Sequence, residues 1–437
     1  MKNTNAHRRS HAVRLLAGAT FSLLSLKAYA VPSFARQTGL ACAVCHDVPP
    51  QLTAFGRQFK LDGYVMTTLK QVSDGKNGKD LSINRVPPLS VMVQLSATTL
   101  TNEPASRTPT GGTAQNTNVE FPQQLSLFYA GEITPHIGTF TQVTYDPKAG
   151  TFGMDNTDFR YARQQTFFGQ SVDWGIDANN NPTVEDLWND TPAWSFPWGH
   201  SNLAAGPSTT VMIDENLAQS SAGIGEYSMW NGAWYEDLSF YRSAPQGQSQ
   251  INPVLGSISG VAPYGRVAWQ HSFGLSYLEV GALGMQTRYI LTPGGSEDSF
   301  TDAGLDSQFD HHFGTDLLTL YGSYVHEHQD LAGSYALGGA SRQNGDLNNL
   351  RLTGTYQFGL HYQTGLQFFN TSGTSDALYY ATTNGSPDST GWIGRVTYLP
   401  WENTQFTLQY TAYTKLNGTS SGASRSNSLY LLAWFLW

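Results

Sequence analysis

From about residue 87 onward, apolar and polar positions alternate with a period of two. In Leu89 to Thr98, LSVMVQLSAT, the residues Leu89, Val91, Val93, Leu95 and Ala97 alternate with Ser90, Met92, Gln94, Ser96 and Thr98. FTLQYTAY repeats the pattern, with Phe406, Leu408, Tyr410 and Ala412 set against Thr407, Gln409 and Thr411. Successive side chains of a strand point to opposite sides, so each segment predicts a strand with one apolar and one polar face. A soluble sandwich gives the same local signal, and the connections separate the two cases. Tight turn sequences stand at Thr134-Pro135-His136, Asn231-Gly232, His271-Ser272-Phe273-Gly274, Gln357-Phe358-Gly359 and Pro400-Trp401-Glu402-Asn403. Between them lie longer polar stretches at 101–122, 146–156, 177–215, 244–262, 329–347 and 371–389. Long and short connections in alternation predict two unlike rims, as in outer-membrane barrels. The strand-like runs number about 16, an even count that lets an antiparallel sheet close and leaves no open edge.

The last strand sharpens this reading. SLYLLAWFLW sets Leu429, Leu431, Ala433 and Phe435 on one face and finishes on Trp437. A closing strand that ends on an aromatic resembles the end of bacterial outer-membrane barrels. The expected fold is therefore all-β: an outer-membrane antiparallel β-barrel of about 16 strands over 87–437.

Composition agrees. Charged residues are 13%, aromatics 13%, and glycines number 44. With a mean hydropathy of −0.32 the chain is unlike a bundle of membrane helices. Low charge with even polar spread suits strands that have one lipid face and one wet face. A net charge of −9 and a pI of about 5.6 argue against nucleic acid as a partner.

The N-terminus reads as an export signal over 1–30. Lys2, Arg8, Arg9 and Arg14 precede an apolar run from Leu15 to Leu26, and Ala28-Tyr29-Ala30 forms a small-x-small cleavage site. The mature chain is expected to begin near Val31.

Both cysteines of the chain fall just beyond, in Cys42-Ala43-Val44-Cys45-His46. Two thiols at this spacing can add to the two vinyl groups of one haem, and the adjoining histidine can then ligate its iron. A thioredoxin-like site needs a βαβ pattern that is absent, and a zinc site needs ligands that no third cysteine supplies. The expected cofactor is one covalently bound haem c, attached through Cys42 and Cys45, with His46 as axial ligand of its iron. Met66 is the first choice for the distal ligand. Met92, His136 and His361 are alternatives, as is an open sixth position. The segment 31–71 is thus a monohaem cytochrome c segment. A linker over 72–86, rich in Gly, Asn, Asp and Pro, joins it to the barrel as a flexible hinge. With the N-terminus in the periplasm the haem segment lies at the periplasmic mouth, tethered there or plugging the lumen.

FARQTG, then C-x-x-C-H, then FGRQFKLDGY (Phe55 to Tyr64), followed by a barrel, resembles the fused monohaem cytochrome–porins of iron-oxidising bacteria. That resemblance implies an outer-membrane protein that takes electrons from extracellular Fe(II) and passes them to a periplasmic c-type cytochrome. It carries over Cys42 and Cys45 as attachment points and His46 as axial ligand. One-electron transfer of this kind, an Fe(II):cytochrome c oxidoreductase activity, needs no general acid or base.

Two acidic or histidine-bearing stretches could receive a cation. Asp177, Glu185, Asp186 and Asp190 lie in one long loop, and His326-Glu327-His328 with Asp330 lies at the outer end of a strand. His311-His312 is expected in a short turn facing solvent. A second function remains open: a diffusion porin whose haem segment gates or plugs the channel. A third makes the haem an active centre for a small molecule such as peroxide.

Overall fold

The computed structural model describes residues 31–46, 51–66, 68, 70–73, 82–102, 117–147, 150–189, 199–247, 256–380, 382 and 384–437. The expected signal segment, 1–30, lies outside them. The chain opens with three short helices, α1 (Pro32–Thr38), α2 (Cys42–Cys45) and α3 (Ala54–Leu61). The barrel strands follow. The first eight are β1 (Leu89–Leu100), β2 (Asn118–Thr134), β3 (Ile137–Asp146), β4 (Thr151–Phe167), β5 (Gln170–Asn179), β6 (Ser221–Trp230), β7 (Trp234–Ser243) and β8 (Ala262–Phe273). The second eight are β9 (Ser276–Ile290), β10 (Glu297–Phe313), β11 (Asp316–Asp330), β12 (Asn344–Phe358), β13 (Tyr362–Gly373), β14 (Ser389–Trp401), β15 (Thr404–Lys415) and β16 (Ser428–Leu436).

Each strand pairs antiparallel with the next, and β16 pairs with β1 through Ser428↔Leu100 to Leu436↔Met92. The ring is therefore closed and has no open edge. A two-residue piece, Ser257–Ile258, adds to the end of β9 without joining the ring. Three local register shifts accompany the first strands, at Gln94/Ser96, Glu132/Thr134 and Thr141/Val143. Such bulges bend and twist the wall locally.

Alternation decides which side chain faces out. In β1 the polar set Ser90, Gln94, Ser96 and Thr98 is buried, and so is Met92. In β16 Leu429 and Leu431 are exposed while Tyr430 and Leu432 are buried. Leu238, Val267, Val280, Leu305, Leu352, Leu366, Val396 and Leu408 continue an exposed apolar face around the ring. The inward face carries Asp158, Arg160, Asp177, Arg266, Glu279 and Asp306. A closed barrel that is apolar outside and polar inside is built for a bilayer, because every backbone group is paired within the wall. No described helix is long and apolar enough to cross a membrane.

The short turns gather at one rim, between β2 and β3, β4 and β5, β6 and β7, and so on to β14 and β15. The opposite rim carries the long connections. Two expectations on this pattern need correction. The stretch 146–156 is not a long loop: Asp146 pairs with Thr151, because β4 begins far earlier than its polar sequence suggested. His311-His312 belongs to β10, opposite Leu318 and Leu317, and the turn follows at Gly314.

The lumen is filled by two pieces of chain. The N-terminal helices enter from the short-turn rim, and the described parts of the β5–β6 connection, 180–189 and 199–220, fold inward to meet them. Val211, Ile213 and Leu217 of that connection pack against Tyr241, Tyr264, Leu283 and Val325 of the wall. Leu187 and Trp188 pack against Leu61, Tyr227 and Tyr235. Of the expected linker, 74–81 lie outside the described residues. Gln71–Ser73 pairs with Ser82–Asn84, and Asn84 Nδ2 donates to the Glu132 carbonyl at 2.9 Å.

Candidate functional site

The site is built around the one-turn helix α2. Its two cysteines form no disulfide, and the His46 N–H closes the turn on the Cys42 carbonyl at 3.0 Å. α3 packs directly over this turn. Thr53 caps α3 by accepting from the Gly56 N–H at 3.0 Å, and its own hydroxyl donates to the Val44 carbonyl at 2.6 Å. Gly56 is required here: a Cβ on it would stand 2.2 Å from the Cys45 carbonyl oxygen. Burial raises the Cys45 thiol to about 11.

The residues of FARQTG and FGRQFKLDGY are those that dock the segment in the barrel. Gln37 accepts from the Glu132 N–H at 2.8 Å and donates to the Tyr64 and Met66 carbonyls. Arg36 donates to the Leu89 carbonyl. The Arg57 guanidinium lies 4.2 Å from the Tyr277 ring centre. Lys60 donates to the Asp186 carbonyl at 2.9 Å and to Asn189 Oδ1 at 3.1 Å. Tyr64 OH donates to Asp158 Oδ2 at 2.7 Å. Phe34, Phe59 and Tyr64 form an aromatic cluster with centroids 5.0 to 5.8 Å apart. Wall and segment touch backbone to backbone at Gly138, where a Cβ would stand 2.0 Å from the Gly63 carbonyl oxygen.

Lys60 makes this docking depend on pH. Burial, with help from the neighbouring Arg160, lowers its ammonium from 10.5 to about 8. The unfolded chain thus binds more protons between those values, and stability rises with pH across the window. The thermal midpoint of the purified protein should rise from pH 7 to pH 9 on this account. Lys60→Met should flatten that rise, measured by circular dichroism melts at both pH values.

Between the segment, the wall and the lumen loop lies a cavity of about 710 Å³. Cys42, Cys45 and His46 form one side of it, and Phe34, Phe59, Phe128 and Phe140 give it apolar walls. Met92 and His200 both line it. Met66 is not among the lining residues: its side chain is 39% exposed, and its carbonyl is held by Gln37. His361 does not point into the lumen; it sits exposed in a rim turn with Nδ1 2.8 Å from the Leu399 carbonyl oxygen. His136 packs edge-on against Tyr161, at a centroid distance of 6.2 Å. His200 escaped the sequence reading because nothing marks a single histidine in a long loop as inward.

The acidic loop is not an external mouth. Asp177 and Glu185 are buried in the lumen with Asp158, Asp237 and Arg160, and Asp186 lies 3.4 Å from Arg266. Asp190 lies outside the described residues. Asp237 and Arg160 were missed, although the alternation Tyr235, Asp237, Ser239, Tyr241 marks an inward face with a carboxylate in it. The three side chains of His326-Glu327-His328 do not meet at one point. The strand alternation turns Glu327 inward to accept from the Met212 N–H, while His326 and His328 face out beside Asp346. Asp330 accepts from the Ala332 N–H at 3.2 Å, where β11 ends.

No protein-family model and no curated protein matches the chain. Among solved structures, OmpF of Salmonella typhi, in a complex with daunomycin, aligns over 84% of this chain and all of its own, at 12% identity and a TM-score of 0.49. The outer-membrane channel DcaP of Acinetobacter baumannii aligns over 84% of this chain and all of its own, at 11% identity and a TM-score of 0.46. OmpT of Vibrio cholerae covers 80% of this chain and 96% of its own, at 10% identity and a TM-score of 0.43.

Proposed function

We propose that this chain is an outer-membrane electron-transfer protein of the cytochrome–porin type, carrying one c-type haem in the plugged lumen. It would take electrons from an extracellular donor, Fe(II) in the first instance, and pass them to a periplasmic c-type cytochrome. The observation that carries this reading is the cavity of about 710 Å³ with Cys42, Cys45 and His46 on its wall. Its size falls within the range of small-molecule and cofactor pockets, and its phenylalanine lining suits a flat apolar macrocycle. Two thiols and an imidazole on one edge are the donor set that covalent attachment and axial ligation need. The residues therefore fit the group.

A bound haem supplies a one-electron couple and nothing that calls for a general base. The chain's own residues do the rest. Cys42 and Cys45 tether, His46 ligates, and Met92 or His200 can approach from the remaining walls. Phe34, Phe59, Phe128 and Phe140 would pack against the faces of the macrocycle. The barrel keeps lipid away and leaves oxidised metal products outside the cell.

A second reading has its own support. A closed ring of sixteen strands is the architecture of diffusion channels, and the chain could be a porin that the N-terminal segment gates. The two filling pieces weigh against an open pore. Anaerobic mixing of the purified protein with ferrous iron separates the readings. Appearance of a reduced c-type haem spectrum supports electron transfer. An unchanged spectrum at every pH tested, together with steady solute flux, leaves the gated channel.

A further inference from the structure

Deeper in the lumen, Asp177 of β5, Glu185 of the inward loop and Asp237 of β7 converge, with one oxygen of each within 4.8 Å of the others. They are 1%, 0% and 6% exposed. Glu185 lies within hydrogen-bonding reach of both aspartates, and no ionised carboxylate can donate to another. The donors that do arrive serve other oxygens. Asn179 Nδ2 reaches Asp177 Oδ2 at 3.2 Å and Glu185 Oε1 at 2.5 Å. Ser239 Oγ reaches Asp237 Oδ1 at 3.0 Å, and Tyr241 OH reaches Glu185 Oε1 at 2.9 Å. Asp177 Oδ1 and Asp237 Oδ2 are buried and have no donor among the described residues.

One guanidinium stands near. Arg160 Nη2 is 3.3 Å from Glu185 and 3.7 Å from Asp177, but its Nε is bound more closely by Asp158, at 2.7 Å. Three carboxylates sharing part of one positive charge cannot all stay ionised out of water; protons or a further cation must sit among them. We propose that this cluster is a divalent-cation site, with Asp177, Glu185 and Asp237 as its oxygen ligands. All-oxygen donors suit hard and borderline divalent ions. The site adjoins the cavity through a short contact chain: Glu185 touches Arg160, Arg160 touches Asp158, and Asp158 accepts from Tyr64, which lines the cavity wall. Naming ferrous iron as the natural occupant rests on the electron-transfer reading above, whereas the cation site itself does not.

The test uses Mn(II), which is paramagnetic and stays divalent, titrated against full-length protein in detergent and read by electron paramagnetic resonance. The wild type should hold one Mn(II) per chain. Glu185→Gln and Asp237→Asn should each weaken it by at least about tenfold, the loss that even outer partners of a metal ligand produce. Asp346→Asn, on the outer wall, should leave binding unchanged. Heat-modified gel migration confirms that each variant retains the barrel, and the wild-type titration decides if either does not. No Mn(II) bound by the wild type, or equal binding in both folded variants, overturns the site and leaves shared protons as the answer. A haem reduced by ferrous iron in a chain that binds no Mn(II) would sink this inference alone. Mn(II) held by a chain without covalent pigment would instead sink the electron-transfer reading alone.

Discussion

If the proposed electron-transfer reading holds, a chain in which Cys42 and Cys45 are both serine is expected to insert as a barrel but to hold no covalent pigment and to show no ferrous-iron-driven reduction. The two thiols lie on the cavity wall in a single helical turn, and α3 fixes that turn through Thr53 and Gly56. Neither cysteine contributes a disulfide, so the substitution removes no cross-link. The contacts that dock the segment come from Gln37, Arg57, Lys60 and Tyr64, all untouched. The barrel should therefore still form, while the segment loses whatever stability the bound haem supplies. The measurement is a pair of readings on one preparation: haem absorbance after denaturation, and heat-modified gel migration for the barrel. A variant that keeps a covalently held pigment would contradict the role given to these thiols.

Removing residues 32–71 is expected to have the second-largest effect, a roughly several-fold increase in single-channel conductance, because it empties the part of the lumen that the segment occupies while the β5–β6 connection stays in place. The wall does not need the segment for closure, since every strand pairs with its two neighbours. It does lose partners. Asp158 loses the Tyr64 hydroxyl, the Asp186 carbonyl loses Lys60, and Tyr227 loses the Leu61 carbonyl as its acceptor. Water entering the opened lumen can replace those groups, so the barrel should persist. Planar-bilayer recordings of the shortened and full chains give the comparison. Equal conductance would mean that the segment does not occlude the lumen, and the plugged cavity would then not exist in the membrane.

The wall was legible in the sequence because its physics is local. Alternation at 89–98, 404–411 and 428–437 names the faces correctly, residue by residue, since period two leaves no freedom in where a side chain points. The filling of the lumen by the β5–β6 connection was not legible. Leu187, Trp188, Val211, Ile213 and Leu217 carry no period, and each is buried only because a distant wall residue meets it. The same holds for Arg160 with Glu185, which joins β4 to the inward loop, and Arg266 with Asp306, which joins β8 to β10. His326-Glu327-His328 looked like a metal triplet because three good ligands are adjacent. Adjacency in a strand is separation in space, and the wall runs between them.

Within the N-terminal segment the two kinds of information meet. The wording of FARQTG and FGRQFKLDGY is explained by docking: an arginine to the β1 backbone, a glutamine that bonds both wall and segment, a glycine under the Cys45 carbonyl, a lysine to the loop and a tyrosine to Asp158. A short peptide that merely carried a haem would need few of these. They describe a segment fitted to one lumen.

The central claim is that the cavity beside Cys42, Cys45 and His46 houses a covalently attached haem. Intact mass spectrometry of the protein extracted from an outer-membrane fraction and unfolded in denaturant tests it directly. The account predicts a single adduct of one haem, retained by the unfolded chain and absorbing as a c-type pigment. An unmodified chain of polypeptide mass alone, recovered from cells that mature their other c-type cytochromes, would contradict it.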